Sequence, residues 1–215
     1  MRVAREGVPF ILLPLALAAL TSSFGWVWVG GACFIAALKM AFFFRDPDRL
    51  LPTDDAQVYS PADGKVIGVE KASQAETAEE EDSVAFPATR VSIFLSLFNV
   101  HVTRAPIAGT VTSITAKPGQ YIAAYKDAAS EKNARVTVHI QGDGTEVFFR
   151  QVSGSLARRV RSYVQEGDSL RAGQKTGIIY FGSRVDIFLP ETIDITIRPG
   201  QKVRAGETVI AERTQ

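Results

Sequence analysis

Glu166-Gly167-Asp168-Ser169-Leu170-Arg171-Ala172-Gly173-Gln174 recurs as Pro199-Gly200-Gln201-Lys202-Val203-Arg204-Ala205-Gly206-Glu207, 33 residues further on. Both glycines and the Arg-Ala-Gly step match. Glycine takes positive φ without a Cβ penalty, so each copy reads as a strand-turn-strand unit. Around the copies, from Val58 onward, short alternating apolar runs are punctuated by glycine and proline, at 65–69, 90–95, 109–114, 135–140, 146–151, 177–181 and 194–198. Period-two alternation with regular turns argues an all-β sandwich or barrel. A weaker echo links Pro61-Ala62-Asp63-Gly64-Lys65-Val66 to Pro106-Ile107-Ala108-Gly109-Thr110-Val111. Helical stretches are few: residues 155–164 are one candidate and 123–129 another. The acidic stretch 70–83 reads as a solvated loop.

The repeated units resemble the turns of barrel-sandwich hybrid domains, such as biotinyl and lipoyl carriers. The carrier lysine of those domains sits in a tight hairpin, usually beside methionine or aspartate, and no such context occurs here. The repeat therefore speaks to fold and not to chemistry. The expectation is a mainly β, barrel-sandwich-hybrid-like domain over residues 46–215 with few short helices.

Residues 1–45 are a different material. Residues 8–38 carry no charged side chain. At 1.5 Å per residue, a helix of that run would measure ~46 Å against a hydrocarbon core of ~30 Å, which is long for one straight span. Thr21-Ser22-Ser23 and Gly25 fall mid-run and can turn the chain. Arg2 and Arg5 flank one end; Lys39, Arg45 and Arg49 flank the other. The positive-inside rule then places both ends, and the domain that follows, on the cytoplasmic side. The first arm, about 8–20, is short for a full crossing, so a helical hairpin and a shallow re-entrant segment both remain open. A cleaved signal peptide fits the basic start but not the length of the run or its resumption after the turn. A buried core helix is the third reading.

Charge is nearly balanced, 24 Lys+Arg against 23 Asp+Glu, which leaves no nucleic-acid footprint. The single cysteine, Cys33, cannot form an internal disulfide. With two histidines, His101 and His139, a three-histidine metal site is excluded, and no Cys/His cluster has zinc spacing.

Three segments carry candidate chemistry. In Tyr59-Ser60-Pro61-Ala62-Asp63-Gly64, Asp-Gly is first of all a turn; functionally, Asp63 would orient or charge a catalytic partner. In Phe98-Asn99-Val100-His101-Val102-Thr103-Arg104, the histidine is either a packed strand residue or a group that moves a proton near neutrality. In Tyr180-Phe181-Gly182-Ser183-Arg184, a Gly-Ser pair lies between two apolar strands. Without a Cβ, Gly182 leaves its carbonyl open to a hydroxyl and its backbone able to hold strained angles. The other Gly-Ser, Gly154-Ser155, reads as an ordinary turn or helix cap. No Gly-x-Ser-x-Gly elbow surrounds Ser183, which argues against a serine hydrolase.

Together these segments resemble phosphatidylserine decarboxylases, most closely the short subfamily of archaea and many bacteria. The resemblance spans the anchor, Pro-Ala-Asp-Gly, Phe-Asn-Val-His, Glu131-Lys132-Asn133, Gln151-Val152-Ser153-Gly154 with Arg158-Arg159, and the final Gly-Ser-Arg. It implies a proenzyme that cuts itself between Gly182 and Ser183 into a β chain of residues 1–182 and an α chain of 183–215, with higher oligomers left open. Ser183 becomes a covalent pyruvoyl group, the cofactor that condenses with the serine amine of phosphatidylserine. The catalytic residues it implies are Ser183, Gly182, His101 and Asp63, with Arg184 or Arg104 on the lipid phosphate, and the location is the bacterial inner membrane. Longer members carry two histidines three residues apart. This chain has His101 and then Arg104, so either His101 serves both cleavage and decarboxylation or Asp63 promotes cleavage. The alternatives are a non-enzymatic membrane-anchored adaptor, or a pyruvoyl decarboxylase of a soluble amino acid, which the lipid anchor argues against.

Overall fold

A computed structural model describes residues 2–54, 56–72, 86–126, 128–155 and 159–213. The chain divides into two compact units, Met1–Asp48 and Arg49–Gln215.

In the first unit, Arg2–Val3 (β1) pairs antiparallel with Arg45–Asp46 (β2), which brings the two basic ends of the apolar run together. Between them run Val8–Ser23 (α1) and Val27–Phe43 (α2). The first arm is longer than 8–20 because Thr21 and Ser23 return their hydroxyls to carbonyls of the preceding turn. Gly25, at φ +78°, reverses the chain. The arms approach closely where Gly30 meets α1: a Cβ there would lie 3.0 Å from the Ala18 carbonyl oxygen. Small residues at a helix contact are the usual means of such close packing in apolar surroundings. Leu13, Leu20 and Trp28 point outward and exposed. The helical segment Arg5–Ser23 is long and apolar enough to cross a membrane; α2 is shorter, at 17 residues.

The second unit is mainly β. Its strands are Gln57–Tyr59 (β3), Gly64–Lys71 (β4), Ala88–Leu95 (β5), Val102–Arg104 (β6), Gly109–Lys117 (β7), Arg135–Gln141 (β8), Glu146–Val152 (β9) and Val160–Ser162 (β10). They continue as Ser169–Leu170 (β11), Lys175–Ile179 (β12), Ser183–Pro190 (β13), Ile193–Ile195 (β14), Lys202–Val203 (β15) and Val209–Arg213 (β16), with one helical turn, Ala129–Lys132 (α3). An eight-stranded sheet runs β11-β7-β8-β9-β13-β5-β4-β15, and two three-stranded sheets run β10-β12-β6 and β14-β16-β3. All named strand pairs are antiparallel. The core fills with β-branched and aromatic residues from these sheets, among them Val66, Ile93, Ile140, Phe149, Ile179, Ile187 and Ile210.

The sequence repeat is a structural one. Gly167 N–H donates to Val111 O and Val111 N–H to Asp168 O; in the second copy Gly200 donates to Val66 O and Val66 to Gln201 O. Gly173 and Gly206 likewise donate to Ala105 and Ser60. All four glycines have positive φ. The Pro61 and Pro106 segments bond each other reciprocally, Arg104 N–H to Pro61 O and Tyr59 N–H to Pro106 O. Two copies of one strand-turn-strand unit thus interlock about a pseudo-twofold axis, which is the barrel-sandwich-hybrid pattern.

Two local expectations change. Residues 160–162 of the expected 155–164 helix form β10, because pairing with β12 outweighs weak local propensity; 156–158 lie outside the described residues. Of 123–129, residues 124–126 turn and the helix starts only at Ala129, with Asp127 outside the described residues. The acidic stretch lies mostly outside them too, at 73–83, while Glu70 and Lys71 extend β4.

The two turn glycines of the first repeat differ in surroundings. Around Gly167, φ +88°, there is open space; a Cβ on Gly173, φ +74°, would meet Pro52 Cδ at 2.6 Å. Gly167→Ala should therefore cost the left-handed strain alone, roughly 1–2 kcal/mol, and Gly173→Ala clearly more, as read by thermal unfolding of the full chain in detergent. Equal losses would show that the Pro52 contact yields freely.

Candidate active site

Two connections between the eight-stranded sheet and the β10-β12-β6 sheet run side by side. One leaves β5 at Leu95 and reaches His101 just before β6. The other leaves β12 at Ile179 and reaches Ser183, the first residue of β13. They are stitched at both ends: Ser183 pairs with Leu95, and Ile179 N–H donates to His101 O at 3.1 Å. His101 thus lies at the Ile179 end of the paired crossing and the Gly182–Ser183 bond at its Leu95 end.

The chain turns into β13 through two left-handed residues, Phe181 at φ +47° and Gly182 at φ +65°. Phe181 is the one non-glycine residue with positive φ among the described residues. A bulky side chain in this region costs of order 1–3 kcal/mol and persists only where the surroundings hold it. Ser183 follows at once, fully buried, and its Oγ makes no hydrogen bond among the described residues. A buried hydroxyl is normally paired. The Ser183 hydroxyl is an exception.

Hydrogen bonds brace the histidine loop. Asn99 Oδ1 accepts from Ser96 N–H (2.9 Å) and Ser96 Oγ (2.7 Å). His101 is buried, with Nδ1 3.0 Å from Asn99 O. Leu97 and Phe98 at the tip point outward, Phe98 at 77% exposure.

Asp63 stands apart. Lys65 pairs with Phe94 and Ser183 with Leu95, so Asp63 lies near a position two strands from Ser183, roughly 10 Å between backbones. Its carboxylate holds Arg49 through two nitrogens, at 2.7 and 2.8 Å, and accepts the Ala205 N–H at 2.8 Å. Asp63 therefore ties the start of this unit to the second repeat turn. The two arginines offered for a lipid phosphate are also occupied inside the protein. Arg184 is 1% exposed, with Nε 2.5 Å from Asp186 and Nη2 2.7 Å from Ser92 Oγ. Arg104 Nη1 donates to Gly173 O at 2.9 Å, holding the first repeat turn.

Residues 151–154 contribute more than their sequence suggested. Strand β9 lies along β13, with Val152 opposite Arg184, so Ser153 and Gly154 continue alongside the Gly182–Ser183 bond. Gly154 lies directly against the Gly182 carbonyl. Asn133, fully buried, bonds Ser153 O at 2.7 Å and both backbone groups of Ile122, at 2.8 and 2.9 Å. No local signal marks this, because it depends on pairing across the sheet. Among the described residues no group of His, Cys, Asp and Glu could hold a metal ion.

A family model described as phosphatidylserine decarboxylase matches residues 37–211. The chain is 44% identical over 207 residues to the phosphatidylserine decarboxylase proenzyme of Saccharopolyspora erythraea, covering 96% of this chain and 86% of that one. It is 42% identical over 214 residues to the proenzyme of Symbiobacterium thermophilum, covering 99% and 96%. To that of Paramagnetospirillum magneticum it is 41% identical over 211 residues, covering 98% and 86%.

His139 lies on β8, opposite Phe148 of β9 and outside the paired crossing. Its ring stacks on Phe148 with centroids 3.9 Å apart, and Nε2 meets Glu146 at 2.9 Å. Burial lowers its pKa below the ordinary 6.5, and the Glu146 hydrogen bond and charge only partly offset this. The unfolded chain then binds the proton more readily, so stability falls as pH drops below about 6.5. The melting temperature should fall between pH 7.5 and 5.5, and His139→Gln should flatten that fall without changing chain cleavage. An unchanged slope in His139→Gln would assign the pH dependence elsewhere.

Proposed function

The chain belongs to the phosphatidylserine decarboxylase family, and from that membership we propose that it cuts itself at Gly182–Ser183 and then converts phosphatidylserine to phosphatidylethanolamine and CO2 through a pyruvoyl group at residue 183. It is a lyase of phospholipid biosynthesis, and family membership removes the case for a non-enzymatic adaptor. The observation that carries the finer reading is the unpaired, buried Ser183 hydroxyl directly after two left-handed residues.

Ser183 Oγ attacks the Gly182 carbonyl carbon. The peptide C–N bond breaks as the ester forms, and the hydroxyl proton passes to the freed nitrogen. A base removes the Ser183 α-proton, the Cβ–Oγ bond breaks, and Gly182 leaves as a carboxylate. Water then replaces ammonia at the α-carbon, leaving a ketone at the head of residues 183–215. The residues fit this group: the hydroxyl is unpaired, and β13 anchors the new terminus on both edges. When present, the pyruvoyl carbonyl supplies the electron sink that stabilises the substrate carbanion left by CO2.

His101, on the neighbouring connection of the paired crossing, returns a proton to the substrate carbon. Asp63 acts at a distance, by holding the corner that leads into β4. Arg184 and Arg104 serve the fold, so the lipid phosphate meets other groups. The exposed Leu97 and Phe98 give the His101 loop an apolar tip suited to a diacyl lipid at a bilayer surface. The N-terminal hairpin anchors the chain in the inner membrane with the β unit on the cytoplasmic side, where the basic residues at its joined ends would lie.

Ser183→Ala should leave one intact 23.3 kDa chain with no carbonyl and no activity but a normal fold. Wild-type protein should give fragments 1–182 and 183–215, the latter resisting Edman sequencing. Lipid decarboxylation by Ser183→Ala would refute the pyruvoyl reading. In already cleaved protein, His101→Ala should lower turnover by roughly 10²–10⁴-fold, and near-wild-type turnover would remove His101 from the mechanism. Deleting residues 1–44 should move the remainder from the membrane pellet to the supernatant under high salt; retention would place the anchor elsewhere.

A further inference from the structure

We propose that Gly154 is a positioning residue for self-cleavage, its bare Cα forming the seat of the Gly182 carbonyl oxygen during attack by Ser183. This rests on the self-cleaving reading above. The direction that a side chain would take from Gly154 runs at the Gly182 carbonyl. A Cβ built there would fall inside the van der Waals envelope of that oxygen and lie 3.1 Å from the carbonyl carbon. A Cα hydrogen therefore points at the oxygen, the geometry of a weak C–H···O contact.

Gly154 is braced through its neighbours. A Cβ on it would also lie 3.3 Å from Ala124 Cβ, on the loop that Asn133 clamps. The Asn133 amide holds that loop at Ile122 and holds Ser153 O, one residue before Gly154. Ser153 N–H donates to Ala134 O at 3.0 Å. The seat is thus fixed by the sheet on one side and by a buried amide on the other. As Oγ bonds to the carbonyl carbon, the π electron pair moves onto this oxygen, which keeps its place against Gly154. A methyl at 154 turns the carbonyl out of that place. Misplacement of a reacting group by ~1 Å costs about 10² in rate.

The test measures cleavage of the full-length chain over time by intact mass. Folding is followed by thermal unfolding, and hydroxylamine is added to break any ester that has formed. Gly154→Ala should fold, cleave at least ~100-fold more slowly, and yield no hydroxylamine-released fragments, because the ester never forms. Ser155→Ala, at the neighbouring exposed residue, should cleave normally. Wild-type cleavage in Gly154→Ala, or an accumulating ester, overturns the proposal. If Gly154→Ala alone does not fold, Gly154→Ala/Ala124→Gly removes the methyl's contact with Ala124 while leaving the Gly182 oxygen in its path, and decides: slowing of tenfold or more in the folded double variant supports the seat, and a wild-type rate removes it. Absence of cleavage in wild-type protein would instead defeat the self-cleaving reading itself.

Discussion

Strand β13 is held on both edges from its first residues. Ser183 pairs with Leu95 of β5, and Arg184 with both Phe94 of β5 and Val152 of β9. The rest of the site depends on this. A strand bound on two sides cannot shift register without breaking both ladders and moving every side chain to the opposite face. The residues before it must therefore absorb the whole change of direction from β12, and Phe181 and Gly182 do so in left-handed conformations. The same ladders bury the Arg184–Asp186 pair, whose Ser92 contact fixes the β5 neighbour. A buried ion pair adds little net stability, but losing one partner is severe, so it holds the local geometry to one solution.

Pseudo-twofold symmetry supplies the frame, and the site lies where that symmetry fails. In each half a short strand, β3 or β6, pairs with the strand that follows a repeat turn, β16 or β12. In the second half the chain runs from β14 through the repeat turn into β16. After β12 it turns sharply and enters the large sheet as β13. The Asp63–Arg49 pair and Arg104 hold the second and first repeat turns respectively, from Ala205 and from Gly173. Charged residues near the chemistry thus work chiefly on the frame. This also gives a physical reason for arginine at 104: a histidine is too short to follow its path to the Gly173 carbonyl.

Much of this was legible in the sequence. Alternation located seven strands, and the 33-residue recurrence revealed the paired turns, because period and glycine placement are local signals. Strands of two or three residues, such as β11 and β15, have no period to read. Strand β10 carries no alternation and owes its form to β12. Within the site, Gly182, Ser183 and His101 stood out by residue type. Gly154 did not, since its dipeptide is identical to the one at 182 and its contact spans 27 intervening positions. Arg184 was read as a ligand cation because burial beside Asp186 cannot be seen from an exposed-looking Ser-Arg-Val-Asp.

The Ser183–Leu95 pairing also has a consequence in time. Strands β5 and β13 are far apart along the chain, and contacts so distant form late, after most of the loop-closure entropy has been lost. During synthesis β13 emerges after β5 and β9, and the repeat turn that bonds Asp63 lies later still. A misfolded or truncated chain lacks the two ladders, and with them the strained corner and the seated carbonyl. Under the proposed self-cleavage, the backbone cut would double as a completion signal: a molecule would gain its reactive end only after its own architecture had closed.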